Sequence, residues 1–316
     1  MTEDLSWLPD LFVAGVPKAG TSSVHRWIAD HPGALGSAEK ETCFFADTDS
    51  HIYRPGANVR GGWAAYRPQF ALPEGPRPRV IFESTPSYIY QRTALDEIPS
   101  LPGTPRCLFI LREPADQIRS IYRYFRNNWT FIPAEMSFAA YLDAIRAGSH
   151  DFGGNELAQD ALRNARYLPH LQAWRERLGT ERMMVRSFDA LRADPRGLMR
   201  EVASWAGLDP AFYDDYDFPS ENETYVPRSR ALHRLNVAVR ARLPRGAIYR
   251  SLRGLYRGLN TESGRTAGQP DAEEAETLAA LRASFAADNL ALARAFDLDL
   301  PGWAMPPADQ PASTVP

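Results

Sequence analysis

Apolar positions follow two rhythms along this chain. Short unbroken runs predict buried strands: Leu11-Phe12-Val13-Ala14-Gly15-Val16, closed by Pro17; Arg79-Val80-Ile81-Phe82-Glu83; Cys107-Leu108-Phe109-Ile110-Leu111; and Arg182-Met183-Met184-Val185-Arg186. Between them the spacing turns helical. Val24, Trp27 and Ile28 line one face of a helix that Thr21 or Ser22 can cap. Ile118, Ile121, Tyr122 and Phe125 form another stripe after Pro114, a proline that a first helical turn tolerates. Further helices are expected around 155–178, 195–206 and 272–297. Alternating strands and helices predict an α/β fold, three layers (α/β/α) around a central, mainly parallel sheet. Ligands of such sheets gather beyond the carboxyl ends of the strands, here near Val16, Glu83, Arg112 and Ser187. The expected organisation is one domain over 1–303, containing a basic helical insertion or lid at 226–260, with a flexible tail at 304–316 marked by four prolines.

Composition narrows the classes. With 44% apolar and 24% charged residues in 316, the chain has the make-up of an ordinary globular protein, which excludes disorder and collagen-like repeats. A net charge of −3 argues against nucleic acid as a partner. No apolar run approaches the roughly 18–20 residues that span a bilayer. Acids stand at Glu3 and Asp4, where a signal peptide would be positive, so a cytoplasmic location is expected. Cys43 and Cys107 lie in apolar stretches and read as buried thiols. Among 36 basic residues only Lys18 and Lys40 are lysines; against an arginine-rich background, both draw notice.

Lys18 lies in Gly15-Val16-Pro17-Lys18-Ala19-Gly20-Thr21-Ser22, which follows a strand and opens a helix. Successive backbone N–H groups and the positive helix end make such a loop an anion cradle. Its glycines are spaced as in G-x-x-x-x-G-K-[ST], the nucleoside-triphosphate loop. However, Thr21 occupies the lysine position, and the lysine has moved inside the loop. No good candidate appears for the acid that would hold Mg²⁺. A phosphosulfate carries one ionisable charge on its terminal group where a phosphate carries two. Amides, hydroxyls and one ammonium can hold it without a metal. His25, His31, His150 and His170 show no metal spacing and read as surface or core residues. The loop alone leaves other readings open: a structural glycine turn, a P-loop kinase or NTPase using ATP and Mg²⁺, or a noncatalytic membrane-associated protein on a nucleotide fold. Residues 226–258 hold nine arginines and no acid, in two apolar-striped helical stretches. That segment fits a solvated helical pair, a lid or acceptor groove, or a peripheral contact with an anionic membrane surface.

Pro17-Lys18-Ala19-Gly20-Thr21-Ser22 resembles the 5′-phosphosulfate loop of sulfotransferases that use 3′-phosphoadenosine 5′-phosphosulfate (PAPS). Leu111-Arg112-Glu113-Pro114-Ala115-Asp116, followed by Ser120 and Tyr122, is similar to that family's 3′-phosphate motif. Three further segments resemble its heparan-sulfate branch: Glu41-Thr42-Cys43-Phe44-Phe45 its E-x-x-F-F stretch, Glu83-Ser84-Thr85-Pro86-Ser87-Tyr88 its E-K-[ST]-P-x-Y stretch, and Ser263-Gly264-Arg265 its K-G-R loop. Leu300-Pro301-Gly302-Trp303 looks like its terminal tryptophan. The resemblance implies a P-loop-like sulfotransferase fold, PAPS as cofactor, 3′,5′-ADP as product and no metal. It further implies that Lys18, Ala19, Gly20, Thr21, Ser22 and Ser23 hold the phosphosulfate, and that Arg112, Ser120, Gly264 and Arg265 hold the nucleotide. Glu41 would be the catalytic base, with Glu83 in reserve, and Lys18 would neutralise charge on the leaving oxygen. Lys40, Glu83 and Ser84 would face the acceptor, a hydroxyl or amine of a small-molecule, glycan or lipid-linked compound. Ser84 and Ser263 replace lysines of the branch, which argues against a heparan-like polyanion, and the branch's cysteine pair is missing, which suits a reducing cytoplasm.

Overall fold

Five strands form one parallel sheet in the order β2-β3-β1-β4-β5: β1 (Leu11–Gly15), β2 (Ala34–Gly36), β3 (Val80–Glu83), β4 (Arg106–Leu111) and β5 (Met183–Ser187). The computed structural model describes residues 4–219 and 270–305, and the strand count is of those. β1 runs between β3 and β4, with Phe12 opposite both Glu83 and Cys107. The strand order reverses around β1, so the crevice beyond its carboxyl end is a topological switch point. Every residue of β1 and β3 is buried, which requires cover on both faces. β2 is the strand the apolar runs did not announce. It is three residues at the sheet edge, half-buried throughout.

Helices α1 (Thr21–Ala29), α2 (Arg92–Glu97), α3 (Pro114–Tyr124), α4 (Phe138–Ala147), α5 (Glu156–Gln159), α6 (Ala161–Asn164), α7 (Tyr167–Leu178), α8 (Phe188–Ala193), α9 (Pro195–Ala206), α10 (Ala272–Ser284) and α11 (Ala286–Phe296) make up the other regular structure of the described residues, with 3₁₀ turns and a π turn (Phe125–Trp129) between them. α1 buries Thr21, Val24, Trp27 and Ile28, the face read from spacing. Its cap differs from expectation: Gly20, at φ +79°, is the N-cap, and neither Thr21 nor Ser22 caps it. The single helix expected over 155–178 is three. Asn155 caps α5 by accepting from the Ala158 amide, and α7 starts afresh after the non-helical Arg166. The segment 272–297 likewise breaks at Phe285. α9 matches its expected bounds because Asp194 and Pro195 start it and Gly207, at φ +87°, ends it. Trp174 of α7 packs on Phe109 of β4, ring centres 5.4 Å apart.

The chain divides into two compact units. The first comprises Met1–Gln117, Leu162–Glu221 and Ala280–Pro316, and it contains the whole sheet. The second comprises Ile118–Ala161 and Asn222–Ala279. Within the second, Tyr122 packs on Phe138 and Tyr141, and Glu274 accepts from both Arg119 and Arg123. Cys43 and Cys107 are buried free thiols. No described helix is long and apolar enough to cross a membrane. The basic segment 226–258, the proposed lid 226–260, Gly264, Arg265 and the tail beyond residue 305 lie outside the described residues.

Candidate active site

The β1–α1 loop leaves the sheet at Val16, whose amide donates to the Ile110 carbonyl of β4 (2.8 Å). Two residues then take left-handed backbone, Lys18 at φ +68° and Gly20 at φ +79°. Gly20 suits that region, whereas Lys18 is held there against its own preference. A Cβ on Gly20 would fall 2.7 Å from the Phe188 ring, so α8 backs the loop closely. The first helical bonds run from the Ser23 and Val24 amides to the Gly20 carbonyl (3.0 and 3.2 Å). Amides earlier in the loop therefore precede the helical ladder, as an anion cradle requires.

The loop is clamped through its carbonyls. Arg112, just beyond β4, donates from Nη1 to the Lys18 carbonyl (2.9 Å), and Gln117 of α3 donates from Nε2 to the Pro17 carbonyl (2.9 Å). The Tyr167 hydroxyl lies 2.8 Å from both the Arg112 carbonyl and Gln117 Oε1, which holds this pair in turn. The Arg112 guanidinium also sits over the Phe188 ring, 5.3 Å from its centre. Trp303 is buried alongside, 6.3 Å from Tyr167, its indole donating to Asp189 (2.8 Å). None of Gln117, Tyr167, Phe188 or Asp189 carried a signal in the sequence.

Electrostatically the spot is short of negative charge. Burial and the neighbouring Arg112 pull the Lys18 ammonium down to about 8, with Lys40 adding to the effect and Glu41 opposing it. Burial lowers Arg112 as well. The structure thus brings Lys18, Arg112, Lys40 and Glu41 together. Ala19 in the loop and Thr21 at the start of α1 are buried, and Ser22 and Ser23 are half-buried in the first turn of α1. Ser120 lies further along α3, half-buried in the second unit.

The two acids that the sequence offered as bases have opposite environments. Glu41 has a side chain 52% exposed, and Lys40 Nζ pairs with its Oε1 at 2.8 Å. Glu83, at the end of β3, is 0% exposed. Thr42 Oγ1 donates to its Oε2, and burial pushes the carboxyl up to about 7. Ser84 folds the next residue back toward Lys40, its amide donating to the Lys40 carbonyl (3.1 Å). Its hydroxyl meets His25 Nδ1 at 2.8 Å. His25 packs at a tilt on Phe82 (ring centres 5.0 Å apart) and is held down to about 4, chiefly by burial and then by Lys40. This imidazole is therefore neutral at physiological pH and sits within electrostatic reach of Lys40 and Glu41. A lone histidine on α1 had given no reason to place it there. Among the described residues, no group of three or more His, Cys, Asp or Glu is arranged to hold a metal.

Three comparisons bear on this arrangement. A family model described as "Sulfotransferase domain" matches residues 8–217. The mouse bifunctional heparan sulfate N-deacetylase/N-sulfotransferase 4 is 24% identical over 208 residues, 65% of this chain and 23% of that protein. The mouse heparan sulfate glucosamine 3-O-sulfotransferase 3B1 is 24% identical over 220 residues, 69% of this chain and 51% of that one. The chain thus spans about a quarter to a half of the length of these relatives. A crystal structure of a sulfotransferase from Alicyclobacillus acidocaldarius has the same fold, with TM-score 0.55 at 20% identity over 80% of this chain and 95% of that one.

Proposed function

Since the chain belongs to the sulfotransferase family, we propose that it moves the sulfuryl group of PAPS to a hydroxyl or amine of a carbohydrate acceptor. The observation that carries this reading is the pair of half-buried cations at the N-terminus of α1, Lys18 and Arg112, the guanidinium donating to the Lys18 carbonyl (2.9 Å) and the Glu41 carboxylate acting on Lys18 with the opposite sign. Two partly desolvated cations at a helix start suit an anionic ligand. The backbone fits as well: left-handed Lys18 and Gly20 turn the loop, and Arg112 and Gln117 hold its carbonyls. The amide side is thereby left for phosphate oxygens. Lys18, Ala19, Gly20, Thr21, Ser22 and Ser23 would hold the phosphosulfate. Arg112 suits the 3′-phosphate, since a guanidinium can grip it with two parallel donors. Ser120, Gly264 and Arg265 come to the nucleotide by resemblance alone.

When bound, PAPS supplies an activated sulfuryl group with 3′,5′-ADP as leaving group. The Lys18 ammonium would neutralise the charge that grows on the leaving oxygen, a stabilisation that is often the largest single contribution in such sites. Below about pH 8 it carries the charge this needs. Glu41 takes the acceptor's proton. A base must come within about 2.6–3.2 Å of that proton, which exposed Glu41 can do and sealed Glu83 cannot. Lys40 Nζ, donating to Glu41 Oε1 at 2.8 Å, orients that carboxylate. The heparan sulfate acceptors named for the two relatives support a sugar as the acceptor class.

Calorimetric titration with 3′,5′-ADP, with and without EDTA and against 5′-AMP and ATP, tests the reading. Metal-independent binding that needs the 3′-phosphate is expected. Mg²⁺-dependent preference for ATP would replace it with the kinase reading.

A further inference from the structure

Beneath the exposed Glu41 lies a carboxyl group for which the chemistry above has no use. Glu83 is sealed at the end of β3; burial raises its carboxyl most, and the hydroxyls of Thr42, Tyr66, Tyr88 and Thr85 oppose that only in part. Those hydroxyls also hold the chain that follows Glu41. Thr42 Oγ1 donates to Glu83 Oε2, lies 3.2 Å from the Tyr88 hydroxyl, and accepts from the Phe44 amide (3.2 Å). The Phe45 amide donates to the Tyr88 oxygen (3.2 Å) and the Cys43 amide to Thr85 Oγ1 (3.4 Å). Three successive amides are thus fastened to the ring of hydroxyls around one carboxyl. Two atoms of this cluster, Glu83 Oε1 and the Tyr66 hydroxyl, are buried without a completed hydrogen bond, although each group is close enough to act on the other's titration. Buried polar atoms left over in this way call for an explanation.

A proton supplies one. An ionised carboxylate is an acceptor only and is costly to bury without a cation, whereas the acid gains an O–H donor for a neighbouring oxygen. The surrounding ionisable groups do not change this balance. Cys43, Tyr66 and Tyr88 are each pushed up, toward their neutral forms, by burial. Arg54 acts on Cys43 and Tyr88 but is engaged with Glu39 (2.9 Å).

We infer that Glu83 is a positioning residue: as the neutral acid it locks Thr42 and the amides of 43–45, and so fixes the segment that presents Glu41, without touching the acceptor. This rests on the reading of Glu41 as base. Its pH range follows from the burial that raises the carboxyl to about 7: the neutral form is complete only well below that pH, and above it the cost of a buried carboxylate without a cation favours local opening.

Amide hydrogen exchange of residues 43–45 across that pH, in wild type, Glu83→Gln and Glu83→Ala, tests it, with infrared spectra of the first two. The wild type should show an un-ionised carboxylic acid band that fades as pH rises through about 7 and is missing from Glu83→Gln. Protection of 43–45, corrected for intrinsic exchange, should fall in the wild type over the same range, persist in the permanently neutral Glu83→Gln, and be lost at every pH in Glu83→Ala. PAPS turnover with water as acceptor, read as 3′,5′-ADP release, should fall at least about tenfold in Glu83→Ala and be rescued in Glu83→Gln. The inference is overturned by the absence of that band, by full protection in Glu83→Ala, or by a Glu83→Gln variant as unprotected as Glu83→Ala. If Glu83→Ala does not fold, the wild-type pH series and Glu83→Gln decide alone. Failure of the wild type to bind 3′,5′-ADP would instead sink the sulfotransferase reading, and leave the exchange result to be judged by itself.

Discussion

Replacing Lys18 by methionine should make the protein more stable and useless at once. The ammonium titrates at about 8 in the folded chain against an ordinary 10.5. At 1.36 kcal/mol per pH unit, that displacement is a folding penalty of about 3 kcal/mol at neutral pH. The sign follows from which state binds the proton more tightly. Between about 8 and 10.5 the unfolded chain holds the proton and the folded chain has lost it, so stability rises with pH through that window. Below about 8 the penalty is present in full. Methionine keeps the length and apolar stem of the side chain and has no charge to bury. Its backbone must adopt the same φ of +68° as the lysine, so that strain cancels in the comparison. Lys18→Met should therefore be up to about 3 kcal/mol more stable than wild type in urea at pH 7, with the gap closing as pH approaches 10.5. Calorimetry on the same two proteins should show 3′,5′-ADP affinity reduced at least about tenfold in the variant. A variant less stable than wild type at pH 7, by an amount that does not change up to pH 10, would refute the reasoning. It would mean that the folded protein already compensates this cation, and that the loop is not held ready for an anion.

Glu41→Gln should lower turnover by about 10²–10⁴-fold, the usual worth of a general base, and leave 3′,5′-ADP affinity within about twofold. Normal sulfuryl transfer by that variant would remove Glu41 from the base role. Arg112→Ala deletes both the donor to the Lys18 carbonyl and the proposed phosphate grip. It should cost about 2–5 kcal/mol of 3′,5′-ADP binding and clearly less of the much weaker 5′-AMP binding, which feels only the loosened loop, and equal losses for the two nucleotides would place the 3′-phosphate elsewhere. Gly20→Ala puts a Cβ 2.7 Å from Phe188 in a backbone at φ +79°, and should lose about 1–3 kcal/mol in urea unfolding. An unchanged midpoint would show that the loop and α8 yield to one another more easily than their packing suggests.

How much of this was legible in the sequence depended on how far apart the cooperating residues lie. β1, β3, β4 and β5 could be read because parallel strands buried on both faces make unbroken apolar runs. β2, only Ala34–Gly36 on an edge, makes no such run. The breaks between α5, α6 and α7 escaped because apolar spacing continues through them, and only the non-helical Asp160 and Arg166 interrupt the backbone. Lys18 stood out because its loop is a single stretch of chain whose glycine spacing carries the chemistry. Gln117 reaches the Pro17 carbonyl from 100 residues away, and His25 finds Ser84 across 59, so neither pairing leaves a local trace. The two acids show the same division most sharply. At the level of residue type Glu41 and Glu83 are interchangeable, and each stands in a plausible motif. The sheet separates them. Glu83 is the last residue of a strand buried on both faces, so its carboxyl is delivered to the interior, among hydroxyls. Glu41 precedes the residues that those hydroxyls seize, so its own side chain is left outside, against Lys40. The burial of one acid and the exposure of the other are thus two results of a single fastening, which is why disturbing the buried carboxyl should be felt at the exposed one.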